Sequence, residues 1–108
     1  MAVKRVWHGW TTPENADNYE KVLQEEVFPG IEAKKIPGYR CIELWRREHG
    51  SEVEFVTVMT FDSVQNVIDF QGDNYERAYI PDAAQKVLKH WDKISAHYET
   101  RESRNYEA

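Results

Sequence analysis

A chain of 108 residues, 41% hydrophobic, 13% aromatic and 31% charged, is one domain burying roughly two-thirds of its unfolded surface, with no room for a separate catalytic domain. The formal net charge is −5 and the Lys and Arg residues are dispersed, which excludes a phosphate-backbone footprint and hence nucleic acid as a partner. No window approaches the ~18 apolar residues of a spanning helix and the start lacks the apolar core of a signal peptide, so no membrane partner and a cytoplasmic location are expected.

Val3 to Thr11 is rich in β-branched and aromatic residues and predicts a first strand. It ends at Thr12-Pro13, a helix cap followed by a proline at the first helical position. Ala16, Tyr19, Leu23 and Val27 then recur at helical spacing, which predicts an amphipathic helix that Pro29-Gly30 should break or kink. Ile36-Pro37-Gly38 is a strong stop.

Two strands follow, about 39 to 48 and 52 to 61, with Gly50 supplying the positive φ of a three-residue hairpin loop. With Glu48 opposite Glu52, Ile42, Leu44, Val56 and Val58 share one face, and Tyr39, Cys41, Glu43, Trp45, Phe55, Met59 and Phe61 the other. A two-residue loop would shift these pairs by one and scramble them. The single cysteine, Cys41, excludes an internal disulfide and a thiolate metal site and reads as a small core residue of a reducing compartment.

Asp62-Ser63-Val64-Gln65 has the spacing of a capping box for a short helix ending at Gly72. Tyr75, Ala78 and Tyr79 suggest one more turn, Pro81 opens another helical piece, and Trp91 to Arg101 forms the last strand. The order is that of an α+β, ferredoxin-like βαββαβ domain over residues 1–101, an antiparallel sheet with helices on one face and a polar tail at 102–108. The other face, carrying Ile42, Leu44, Val56 and Val58, has nothing to cover it in one protomer, so a homodimer through that face is expected.

Trp7-His8-Gly9-Trp10-Thr11, Ile36-Pro37-Gly38-Tyr39-Arg40, Glu54-Phe55-Val56-Thr57-Val58, the segment from Phe70 to Glu76 and His97-Tyr98-Glu99 together resemble the antibiotic-biosynthesis-monooxygenase (ABM) domain family over about residues 3 to 100. The resemblance implies a dimeric α+β barrel of ferredoxin-like protomers, each with a pocket between sheet and helices. It also implies oxygenation of an aromatic or quinol-like phenol without a metal or flavin cofactor, the protein desolvating a phenolate and orienting it to pass an electron to oxygen. A haem-degrading branch uses an Asn, a Trp and a His at positions that fall on Trp7, Phe61 and Tyr79 here, and none of the three types is retained. A binding or stress-related homodimer without catalysis is the alternative, because these residues are missing.

Two candidates for a catalytic base emerge. His97 lies on the last strand, next to the first strand and its His8; a histidine there could ionise a phenol or be an ordinary strand histidine. Glu43, in the predicted register, sits among aromatic residues, where a carboxylate has a raised pKa or pairs with Arg5 or Arg47. Trp7, Trp45, Phe61, Tyr75 and Tyr79 are candidates to line a pocket for a flat ligand, or to fill the core. Two histidines without a carboxylate at ligand spacing predict no metal site, and Arg46-Arg47-Glu48 reads as a solvated strand end.

Overall fold

The computed structural model describes residues 2–107. Five strands, β1 (Val3–Thr11), β2 (Tyr39–His49), β3 (Glu52–Phe61), β4 (His90–Trp91) and β5 (Ala96–Glu99), form one antiparallel sheet in the order β2-β3-β1-β4, with β5 also on β1. Alternation along β1 is strict: Val3, Arg5, Trp7, Gly9 and Thr11 are buried on the helix side, and the residues between them are half-exposed on the open side. β4 and β5 divide the predicted last strand, because after Asp92, whose N–H still reaches the His8 carbonyl, residues 93–95 leave β1 and Arg77 bridges to Ile94 instead.

The hairpin corrects the expected register. Its loop is Gly50-Ser51, with Gly50 at φ 65°, so His49 opposes Glu52 and each later pair moves by one. A one-residue shift exchanges the faces. Ile42 and Leu44 therefore turn toward the helices with Thr57, Met59 and Phe61, while Cys41, Glu43 and Trp45 join Val56 and Val58 on the open face. Cys41 is exposed, not a core residue. A β-bulge between Tyr39 and Cys41 restores Tyr39 to Phe61, their rings 5.3 Å apart.

The first helical region does not break at Pro29. α1 (Ala16–Val22) passes through a π-helical turn (Leu23–Val27) into α2 (Phe28–Ala33), and the Phe28 N–H reaches back five residues to the Leu23 carbonyl. The wider turn places Pro29 in the first turn of α2, where its missing N–H costs nothing. α3 (Val64–Gln71) is capped by Ser63, whose Oγ accepts from the Asn66 N–H, one residue later than predicted; Asp62 pairs with Arg40 instead. The turn expected around Tyr75 to Tyr79 is a single hydrogen-bonded turn in which the Arg77 N–H reaches the Asn74 carbonyl at 3.1 Å, with residues 78–80 irregular, and α4 (Asp82–Gln85) is a single turn behind Pro81.

The core lies between sheet and helices. Phe55, Phe61, Val53 and Val67 have no exposed surface, and Tyr19 meets Phe55 edge-on at 4.9 Å. Arg46, read as part of a solvated end, clamps the hairpin to α1 through Asp17 and Glu20, both at 2.8 Å. Gly9 is required by packing: a Cβ there would lie 2.4 Å from the Trp7 ring and 3.1 Å from Leu88. Gly9→Ala is expected to cost about 1–3 kcal/mol by overpacking, and denaturant titration followed by Trp fluorescence checks it.

Candidate functional site

Between the sheet and the helices a cleft opens whose floor comes from β1, β2 and β3 (Arg5, Trp7, Ile42, Thr57, Met59) and whose helical wall is Tyr19, Leu23, Val27, Phe28 and Ile31. Phe70, Tyr79, Ile80, Pro81, Ala84 and Ser95 close the remaining side. Its interior is a cavity of about 40 Å³, opening into about 490 Å³ of empty space that includes the mouth. The cleft is narrow and its lining overwhelmingly apolar. A broader, shallower hollow lies beyond it, lined by Gln71, Arg77, Trp91 and Lys93 and sharing Tyr79, Ile80 and Pro81.

Arg5 is the chemical peculiarity of this cleft. It occupies an inward position of β1 and is 2% exposed, yet no carboxylate pairs with it among the described residues. Its Nη1 donates to the Tyr75 carbonyl and lies 3.0 Å from His97 Nε2, its Nη2 donates to the Arg77 carbonyl at 2.8 Å, and its guanidinium lies 5.5 Å from the centre of the Phe70 ring. Burial pushes its pKa down to about 10, so it stays charged at neutral pH.

His97 stands directly across from Arg5 in the β1–β5 pairing and packs edge-on against Tyr75 at 5.2 Å. Burial, and then the Arg5 charge, hold its pKa below the ordinary value, against a smaller opposing pull from Glu76. Because Arg5 can only donate, the Nε2 facing it accepts, and the proton of the neutral ring is on Nδ1. A histidine whose folded pKa is depressed contributes stability above its unfolded pKa of about 6.5, which is lost as pH falls toward the folded value. Chemical denaturation should therefore show stability falling below pH ~6.5, and His97→Gln should flatten that slope.

Of the residues singled out in the sequence, Trp7 and Tyr79 line the cleft. Trp7 is fixed there by its Nε1–H, which donates to the Asp92 carbonyl at 2.7 Å. Phe61 lies deeper, wholly buried between Tyr39 and Phe70, and Tyr75 and His97 reach the cleft only through Arg5. Glu43 and Trp45 are on the opposite, open face, where the Trp45 Nε1–H donates to Glu43 at 3.3 Å; Glu43 is exposed and pairs with neither Arg5 nor Arg47.

His8 also faces the open side, 2.9 Å from Glu54, so the two strand histidines lie on opposite faces of the sheet. No group of three or more His, Cys, Asp or Glu residues among the described residues could hold a metal ion. Sequence reasoning treated Arg5 only as a possible partner of Glu43 and passed over Ser95. A charged residue in phase with Val3, Trp7 and Thr11 was a usable signal for the first; nothing in the pattern marked Ser95, whose burial depends on the break in the edge strand.

No protein-family model matches the sequence, and no curated protein matches it. Among solved structures, the chain is similar over 100% of its length to 99% of a Bacillus cereus protein provisionally named an antibiotic biosynthesis monooxygenase, with TM-score 0.65 and 10% identity. It is similar over 97% of its length to the whole of the Rv0793 protein of Mycobacterium tuberculosis, with TM-score 0.62 and 14% identity. No helix among the described residues is long and apolar enough to cross a membrane. The chain thus has the α+β, ferredoxin-like fold of an ABM-type structure, as its sequence resemblance implied.

Proposed function

We propose that the protein binds an aromatic or quinol-like small molecule in the cleft between sheet and helices and oxygenates it without a cofactor, working as a homodimer through the open sheet face. The observation that carries this reading is a buried, uncompensated guanidinium in an otherwise apolar cleft. An apolar wall strips water from a phenol, and a fixed positive charge lowers the cost of its ionisation. The phenolate then passes an electron to dioxygen, the two radicals join at a ring carbon, and loss of water leaves a quinone, so that one phenol and one dioxygen give one quinone and one water. Neutral His97 orients Arg5 through Nε2, and because that hydrogen bond uses the ring's one acceptor nitrogen, the phenol's proton leaves to solvent at the cleft mouth.

Oxygen uptake with a series of single-ring phenols and hydroquinones tests it. Uptake that requires the phenol, matches it mole for mole and falls in Arg5→Lys supports oxygenation. A second reading, binding without turnover, is favoured by the narrowness of the cleft, which would have to widen to seat a polycyclic phenol. A thermal shift with the same phenols but no oxygen uptake would establish that reading in place of the first.

A further inference from the structure

Arg5 is not the only polar group that the cleft leaves incompletely used. Ser95 Oγ is buried, has no hydrogen-bond partner and lines the same cleft. The three hydrogen bonds of Arg5 engage three of its five N–H donors. A buried hydroxyl without a partner and a buried charge without a counter-ion are each costly, and here both border one open space. Two backbone carbonyls and a neutral imidazole spread the charge of Arg5 without cancelling it.

We propose that the cleft is built for a single-ring organic monoanion, a carboxylate or a phenolate, whose oxyanion accepts from Arg5 and Ser95 while its ring lies on Trp7, Met59 and Phe70. This names the ligand class of the small-molecule site described above and rests on that reading for its location alone. The cavity of about 40 Å³ is smaller than the ~150 Å³ that holds a benzene ring, so one ring requires a limited parting of the walls and several rings a far larger one. The lining is mostly aliphatic and aromatic, with Tyr19, Thr57 and Tyr79 supplying its only other hydroxyls, which disfavours small, strongly hydrated anions such as phosphate. The guanidinium fork matches the two oxygens of a carboxylate, a geometry that an ammonium cannot reproduce.

Calorimetric titration of the intact protein under argon separates this from oxygenase activity, since binding needs no dioxygen. The probes are benzoate and 3-phenylpropionate, their amides benzamide and 3-phenylpropionamide, and 4-nitrophenolate with 4-nitroanisole as its neutral counterpart. At least one anion should bind at least about tenfold tighter than its neutral counterpart, the worth of one charge-assisted hydrogen bond. Ser95→Ala and Arg5→Lys should each weaken that anion severalfold while leaving the circular dichroism unchanged, and Arg5→Met, if folded, should abolish the preference for charge. Preference for the carboxylates or for 4-nitrophenolate identifies which oxyanion the site takes. Equal binding of anions and neutral counterparts, no saturable binding of any anion, or full affinity in both Ser95→Ala and Arg5→Lys would overturn the proposal.

Discussion

Phe55→Ala is expected to lower stability by about 3–5 kcal/mol and the melting temperature by roughly 12–25 °C. Phe55 is on the helix-facing side of β3 with no exposed surface, meets Tyr19 edge-on, and carries the Arg46 guanidinium 5.6 Å from its ring centre. Truncation removes the ring from all these neighbours at once. The void cannot collapse readily, because Tyr19 is held by α1 and Arg46 by its ion pairs with Asp17 and Glu20. Such a loss approaches the whole stability of many domains of this size. Phe55→Leu, which keeps most of the volume, should cost less than about 1.5 kcal/mol. Scanning calorimetry distinguishes the two, and a drop under about 4 °C for Phe55→Ala would contradict the packing described here.

Val56→Asp is expected to convert the proposed homodimer to monomers while leaving the protomer folded. Val56 lies on the open face of β3, across from His8 on one side and Trp45 on the other. On the same face stand Trp45 at 52% exposure and Val58, with the His8–Glu54–Arg47 ion pairs beside them. In a twofold interface the substitution buries two carboxylates near the axis, and an uncompensated buried charge costs roughly 3–5 kcal/mol or more, at least about a hundredfold in dissociation constant. In the protomer alone the same carboxylate stays in water. Sedimentation velocity across a concentration series reads the outcome: a wild-type dimer with a monomeric variant supports the interface, and a monomeric wild type removes it.

The fold was legible because element order survives small errors in placement. Val3 to Thr11 alternates over its full length, and the hairpin flanks a glycine that adopts positive φ, so both features appear where the sequence puts them. The hairpin faces were not legible, because loops of two and three residues share the same local chemistry and period-two patterning converts one residue of error into a complete exchange. Glu43 and Trp45 therefore left the predicted pocket together, while Ile42 entered it. Gly30 read as a breaker, yet α2 runs through it, because the π turn ahead of Pro29 had already absorbed the conflict. The cleft residues gathered from positions 5, 57, 80 and 95 meet only through tertiary packing, which no local pattern encodes.

The division of the last strand has a consequence for how this protein avoids its own kind of strand. A sheet edge offers unpaired N–H and C=O groups to any extended chain nearby. On one side, β4 and β5 cover β1 only at Gly9-Trp10 and Val3–Val6, and the chain between them turns away toward Arg77 and Glu76. A stray strand finds no straight run there longer than the four residues of β5. The opposite edge, β2, is eleven residues long and has no such break beyond its bulge. Arg40, Glu43, Arg46, Arg47 and Glu48 crowd it with charges of both signs. One edge is guarded by its shape and the other by electrostatics, so neither edge offers a stray strand an easy template.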